Sequence, residues 1–435
     1  MKWPVAPLFK IVRIVGGGTP AKANSAFWSG EIPWVSPKDM ISRDIWETQD
    51  HISENAVAES ATQLVPAGSV LIVARSGILV RFVPIAIAHV PVTLNQDMKA
   101  FLPTTEALDN QFLAYFLESR SSELLASFVK RGATVHSLDM NKLQQLQVPI
   151  PAPLEQRRIV QIIDQADALR KKRAEADAKA ERIFPALFIR VFGDPTTNQR
   201  RWDVFELGDL CAKITSGSRD WARHTGRGNS FFVRTQDIND GEISKDLLTV
   251  DPPFGAEADR TRLCYGDVVV TITGIVGKAA VFRVHKQNVY VSQHVALVRP
   301  KPTLEPEYLA AYANFPSGNG PLLARFQYGQ TKPGLGFREL RTAKIPLPRI
   351  DLQRRFVSQT QDIRALKQSQ CRAKAKLEEL WAALLQRAFS GDLTATWREG
   401  HMEELLAEMR EQAQYLEAHG THSQQENAGL RKSLF

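Results

Sequence analysis

Between residues 154 and 187, apolar positions recur at alternating spacings of three and four: Ile159, Ile162, Ala166, Leu169, Arg173, Ala176, Ala180, Ile183 and Leu187. Eight of these nine are apolar. A 3.5-residue repeat keeps one stripe of a helix facing a partner, so the pattern predicts a long helix with a coiled-coil seam. The series returns 197 positions later as Phe356, Gln359, Ile363, Leu366, Gln370, Ala373, Leu377, Leu380 and Leu384, with seven of nine apolar. The polar interruption at Arg173 returns at Gln370. The leaders match, Gln156-Arg157-Arg158 against Gln353-Arg354-Arg355, and so do the endings, Gly193-Asp194 against Gly391-Asp392. One amphipathic helix is ordinary, but two in one register with the same ends indicate a duplicated unit.

The rest of the pattern fits around these helices. Short apolar runs at 11–15, 70–74 and 83–88, bounded by Gly and Pro, predict a β-rich domain over 1–150. A helix is expected over 110–129, where Phe112, Tyr115, Phe116 and Leu117 share a face with Leu124 and Phe128. The loop Arg131-Gly132-Ala133-Thr134 follows, and the proline-dense run 148–153 holds the chain extended and ends the domain. A helical spacer over 151–194 comes next, about 50 Å long at ~1.5 Å per residue. Pro185 is expected to kink or stop it, and Gly193 to cap it.

Residues 195–349 repeat the plan, with Trp202 echoing Trp3 and Asp237 echoing Asp39. Gly68-Ser69-Val70 returns as Gly266-Asp267-Val268, Asn95-Gln96 as Ser292-Gln293, and Gly132-Ala133-Thr134 as Gly329-Gln330-Thr331. A second spacer covers 350–392. In the tail, 393–435, Met402, Leu405, Met409, Ala413 and Leu416 suit one short amphipathic helix, and the composition from Gly420 onward is polar. Most residues between the shared landmarks differ, as they would in two copies that read two different things.

Composition narrows the class. A chain of 435 residues, 43% of them hydrophobic, is globular and long enough for two to four domains. A net charge of +8 favours a polyanionic partner. Cys211, Cys264 and Cys371 are far apart and form no C-x-x-C pair, so neither a zinc site nor a disulfide framework is indicated, and a reducing, cytoplasmic compartment is expected. The first residues do not have the pattern of a signal peptide. No apolar run reaches the ~18 residues that span a bilayer, so no membrane partner is expected.

Catalytic motifs fail one by one. Asp251-Pro252-Pro253-Phe254 fits the (N/D)-P-P-(Y/F) motif of amino-group methylases. Such an enzyme also needs a glycine-rich strand-to-helix loop for its methyl donor, and Gly16-Gly17-Gly18-Thr19-Pro20 is not followed by a helical pattern. Gly274-Ile275-Val276-Gly277-Lys278 lacks phosphate-loop spacing and is followed by Ala279, so it reads as a turn that presents its lysine outward. Asp97-Met98-Lys99 is a D-x-K nuclease fragment without an acidic partner at suitable spacing. The nine histidines form no metal-ligand pair, and no Gly-x-Ser-x-Gly elbow occurs. The chain therefore reads as non-catalytic, with no metal and no cofactor of its own.

What remains is a pair of basic, variable domains. The candidate DNA-binding set is Lys38, Arg75, Arg81, Arg131 and Thr134 in the first, and Arg219, Arg223, Arg227, Arg234, Lys278, Thr331 and Lys332 in the second. Arg43, Lys130, Arg283 and Arg338 are placed beside the same loops. Arginines reach phosphates and guanine edges, and the glycines of 216–228 let backbone approach a nucleic acid. The run 170–173 reads instead as a solvated helix face.

The order and repetition of GGGTP and IPWVSPKDM in the first domain, the leader Pro151-Ala152-Pro153-Leu154-Glu155-Gln156-Arg157-Arg158-Ile159, and the ending LTATWRE at 393–399 resemble the specificity subunit of a Type I restriction–modification system. The resemblance spans nearly the whole chain. It implies a mixed α/β fold of two similar target-recognition domains, separated by two long helices that form an antiparallel coiled coil with a pseudo-two-fold repeat. It implies that each domain reads one half of a split site in double-stranded DNA. Two modification (methyltransferase) subunits and the restriction, or translocase, subunits would dock and supply S-adenosylmethionine, ATP and Mg chemistry. The Thr331-Lys332-Pro333-Gly334 loop departs from its counterpart Thr134-Val135-His136-Ser137. The competing readings are a stand-alone DNA amino-methyltransferase and a coiled-coil scaffold with no DNA role.

Overall fold

The computed structural model describes residues 3–104, 107–217, 221, 224–239, 241–252, 255–283, 288–315 and 334–419. The fold is mixed α/β with two long helices. The chain divides into two compact units, Met1–Arg173 with Lys374–Phe435, and Ala174–Ala373. Each unit therefore owns one β-rich head, the front of one long helix and the back of the other.

In the first unit the core lies between a five-stranded sheet and the helix Asn110–Ser119. The strands run in the order Val12–Gly16, Met98–Pro103, Val70–Val73, Ile85–Ala88, Asp44–Ile45. The strand Val70–Val73 is apolar at every position and buried at every position, as a central strand covered on both faces must be. The helix begins where the Asp109 carboxylate accepts from the Phe112 N–H (2.8 Å), and it buries Phe112, Leu113, Tyr115, Phe116 and Leu117. It ends at Ser119, not at Val129. A short turn, Ser121–Glu123, and an irregular one, Leu124–Phe128, carry the chain onward.

The second unit repeats the arrangement. Its sheet orders Cys211–Ser216, Val295–Pro300, Val268–Thr271 and Ala279–Val281, the same succession as the first four strands above. The helix Pro306–Ala313 takes the place of Asn110–Ser119 in this core. Each unit also carries a small three-stranded sheet with one antiparallel and one parallel pair: Asp50–Ile52, Ile32–Val35, Thr93–Leu94 in one, and Leu248–Val250, Thr225–Val233, Val289–Val291 in the other.

The long helices differ from their sequence pattern in two ways. The first runs Pro153–Glu181 and resumes as Ile183–Phe192, whereas the second runs unbroken from Ile350 to Ser390. Pro185 explains the break: it has no N–H to give the Glu181 carbonyl, and it fits the first turn of a new helix, where that N–H has no partner anyway.

The buried stripe is also not the predicted one. Ile159, Leu187 and Phe356 are buried as expected, but Leu169 (65% exposed), Ile183, Leu366 and Leu380 face solvent, as do Ala176 and Ala373. Ile162, Ala166, Arg173, Ala180, Ile363, Gln370, Leu377 and Leu384 are only partly buried. The front of the first helix buries Ile159, Val160, Ile163 and Asp167 instead. The reason is packing: the head of each unit, with its wide apolar surface, decides which helix face is covered. The same holds for the second helix, where Trp381, Leu385 and Ala388 join the first unit's core.

Candidate nucleic-acid interface

Arg75, Arg81 and Arg131 of the first head, without an ion-pair partner among the described residues, follow from one rim of its sheet. Gly16 lies opposite Lys99 and Met98 opposite Val73, so three strands reach this rim together. Gly17 must be glycine here: a Cβ would sit 2.0 Å from the Asn95 carbonyl oxygen. Asn95 Oδ1 accepts from the Asp97 N–H (2.7 Å), which closes a tight turn. The Asp97 carbonyl in turn accepts from the N–H groups of Ala74 and Arg75.

From Ala74, held to that turn, the chain passes into a second small sheet, in which Arg75–Ser76 pairs with His136–Leu138 and that strand with Val129–Lys130. The Leu138 N–H donates to the Ala74 carbonyl (2.8 Å) and stitches the hairpin to the rim. The loop 131–134 is the tip of this hairpin. Arg75, Arg131 and Thr134 are all exposed there, and exposed Arg81 follows the turn Gly77–Val80, whose start is capped by the Ser76 hydroxyl. Val80, Phe82 and Val135 are exposed beside them. Guanidinium groups next to apolar side chains can serve guanine edges and thymine methyl groups.

Other basic residues are tied within the protein. Lys38 donates to Asp50 (2.7 Å), and that hydrogen bond holds its pKa above the usual lysine value. Lys130 pairs with Asp139 (3.0 Å). Arg43 lies 4.0 Å over the Tyr115 ring and pairs with Asp167 (3.1 Å), so it packs the head on the first long helix and is not offered to a ligand. The run 170–173 is not simply a solvated face either. Arg170 pairs with Glu378 (3.0 Å) and covers the Trp381 ring, and Lys171 pairs with Asp44 (2.8 Å).

The second head builds the same rim. A Cβ on Gly217 would sit 1.9 Å from the Val291 carbonyl oxygen, and the Leu335 N–H donates to the Ile272 carbonyl (2.8 Å), matching the Leu138 bond. Arg234 grips Asp237 with two hydrogen bonds of 3.0 Å, the role Ser36 plays toward Asp39 in the first head. Lys278 does not project freely from its turn, because its ammonium donates to Asn239 (3.1 Å). Arg227 lies on the strand Thr225–Val233. Arg219, Arg223, Thr331 and Lys332 lie outside the described residues, as do Pro253 and Phe254 of the Asp-Pro-Pro-Phe motif. Trp221 is fully buried between Phe232 and Tyr290, so the basic segment 216–228 has an aromatic root in the head.

Two groups escaped the sequence reading. The repeated leader glutamines are brackets, not surface residues. Gln156 donates to the carbonyls of Ala107 and Pro151 and accepts from the Asp109 N–H, while Gln353 does the same with Thr303, Pro348 and Glu305. Their recurrence at one offset was the available signal. Glu155 is buried at 2% exposure and accepts from Trp3, Thr394 and Arg398 at 2.6–2.9 Å. The LTATWRE ending thus supplies the partners of a leader residue far away in sequence.

Among the described residues no helix is long and apolar enough to cross a membrane. The model of the family described as "Type I restriction modification DNA specificity domain" matches residues 2–177 and again 199–378. The chain is similar to the specificity subunit of the Type I restriction enzyme EcoR124I/EcoR124II of Escherichia coli, 44% identical over 163 residues, 37% of this chain and 40% of that protein. It is also similar to the MjaIX specificity subunit of Methanocaldococcus jannaschii, 28% identical over 234 residues, 50% and 53% of the two chains. The match thus spans about half or less of the length of these curated relatives. In fold it is similar to a chain solved in work on complex assembly and conformational transition of the type I R-M system, with a TM-score of 0.57 at 20% identity over 90% of this chain and 98% of that one.

Proposed function

We propose that this chain, which belongs to the Type I restriction modification DNA specificity family, is the non-catalytic DNA sequence-recognition subunit of a Type I restriction–modification complex. Residues 1–150 form one target-recognition domain and 195–349 the other, each reading one half of a bipartite, asymmetric site in double-stranded DNA. The spacers 151–194 and 350–392 form an antiparallel helical pair with pseudo-two-fold character that sets the unread gap. They also dock two modification subunits and, through them, the restriction subunits. Those partners bring S-adenosylmethionine, ATP and Mg, and the assembly works in the cytoplasm.

One observation carries this reading. In both heads the same backbone bond fixes the chain to the same rim, Leu138 to Ala74 and Leu335 to Ile272, while the described side chains along the rim differ. A conserved frame with variable side chains suits two readers of different sequences. Arg75, Arg81 and Arg131, without an ion-pair partner among the described residues, give the first reader its cations, with Thr134 beside them.

The test is to replace residues 1–150 with the equivalent domain of another specificity subunit and map methylated positions in the host DNA. One half of the recognised sequence should change and the other should stay. A change in both halves would rule out independent reading. A gel shift across a salt series separates this proposal from a scaffold with no DNA role, because phosphate contacts make affinity fall steeply with salt. Binding of S-adenosylmethionine by the chain alone would favour the stand-alone methyltransferase.

A further inference from the structure

Lys99 stands on the strand Met98–Pro103 opposite Gly16. Its ammonium lies over the Gly16 backbone: a Cβ at that glycine would sit 2.9 Å from Nζ. The side chain is half-buried, and among the described residues it has no hydrogen-bond acceptor and no carboxylate partner. Burial pushes its pKa below the ordinary lysine value, and no nearby carboxylate raises it again. A cation held this way is costly unless something else supplies an acceptor. Gly16 borders it with bare backbone, and the Thr19 hydroxyl, bonded to the Gln96 amide, lies at the same rim. Asp97 is two residues away, but its carboxylate faces Gln96 and forms no ion pair with Lys99 among the described residues.

We propose that Lys99 contacts one backbone phosphate of the DNA half-site read by the first head, an inference that rests on the DNA-recognition reading above. An ammonium is a point charge without the planar fork that reads a base edge, so its natural target is a phosphate oxygen. Gly16, with no side chain of its own, leaves room for the ammonium at the rim. The second head lacks this contact. There Ala296, fully buried, stands opposite Ser216 at the equivalent place in the sheet. At this place in the sheet the two heads therefore differ by one positive charge.

The experiment uses the full chain assembled with its co-expressed partner subunits and two duplexes, one carrying the mapped target and one with that target scrambled. Anisotropy titrations run across a salt series for the parent, Lys99→Met and Lys99→Arg. For Lys99→Met the slope of log affinity against log salt should shrink by about one, and affinity at 0.1 M salt should fall about eight-fold, on both duplexes alike. Lys99→Arg should keep the parental slope. Thermal unfolding of Lys99→Met should not drop, because the removed charge had no partner in the protein. A parental slope in Lys99→Met, or a loss confined to the target duplex, overturns the phosphate assignment and leaves DNA reading standing. A parent that binds neither duplex in a salt-dependent way removes the DNA reading itself.

Discussion

The two units close the same scaffold by different means. In each, a tryptophan at the start of the head must be joined to the end of a long helix that stops at a glycine of positive φ, Gly391 in one and Gly193 in the other. In the second unit the chain makes the join itself. Residues 194–202 run on from the helix, Asn198 brackets Trp202 through two hydrogen bonds, and the Trp202 indole donates to the Phe192 carbonyl (2.8 Å). The leader residue there is Leu352, packed against the core. In the first unit Trp3 and Gly391 are far apart in sequence. Trp3 donates instead to Glu155, which also holds Arg398 and Thr394 of the tail, and the Arg398 guanidinium reaches back to the Gly391 carbonyl (2.7 Å). A buried ion pair does in one unit what a stretch of chain does in the other.

The largest effect should come from breaking that pair. Arg398→Ala leaves Glu155 charged and buried with part of its hydrogen bonding gone, and should cost about 3–5 kcal/mol. Urea unfolding with the indole fluorescence as probe measures it. Leu352→Ala, at the equivalent leader position, removes only part-buried apolar surface and should cost less, about 2 kcal/mol. Equal losses would mean that the two closures do not differ in kind.

The glutamine brackets test the opposite point, that some features are the same in both units. Gln353→Leu removes the glutamine donor from two carbonyl groups and the acceptor from one N–H, while Gln156→Leu takes the acceptor from the Asp109 N–H and only one of the two donors from each of its carbonyls. Gln353→Leu should cost about 2 kcal/mol and Gln156→Leu less, while the loss at the bracketed N–H is the same in both. Hydrogen exchange at the Asp109 and Glu305 amides should accelerate in the respective variants. Gln412 of the tail also donates to the Ala107 and Pro151 carbonyls (3.0 and 3.3 Å), so the first unit has a partial substitute. A clearly smaller effect of Gln156→Leu would show that the tail backs up its bracket.

These features differ in how they were written into the chain. The repeat was legible because it rests on helical periodicity and glycine positions, which are local. The mixed α/β class with two long helices was what the family resemblance implied. The helix faces were misread because the seam pattern records only which positions are apolar, while burial depends on what the heads place against them. Leu169 fits the repeat and faces solvent, whereas Asp167 breaks it and is covered through its bond to Arg43. The basic residues show the same limit. Composition made Arg75 and Arg234 equivalent candidates, yet Arg234 grips a carboxylate three residues along and Arg75 has no partner among the described residues. Glu155 was hidden for a different reason, since its partner lies 243 residues away.

The smallest expected effect concerns one strand. Each head begins its first sheet strand directly after a short helix, Leu8–Ile11 or Leu207–Leu210, and the residue that follows is Val12 in one and Cys211 in the other. Both are buried. Cys211→Val therefore installs in the second head the side chain the first already uses at this place. The volumes are similar and no polar partner is lost, so stability should change by less than about 1.5 kcal/mol. Burial also pushes the Cys211 thiol up to about 12, far above the pH at which thiolates normally form. Iodoacetamide at pH 8 should then label exposed Cys264 and Cys371 in the folded chain and spare Cys211 until urea is added. Prompt labelling of Cys211 under native conditions would mean that the second head opens at this strand, and the Val12 position in the first head, probed by Val12→Cys, would show whether the two heads share that weakness.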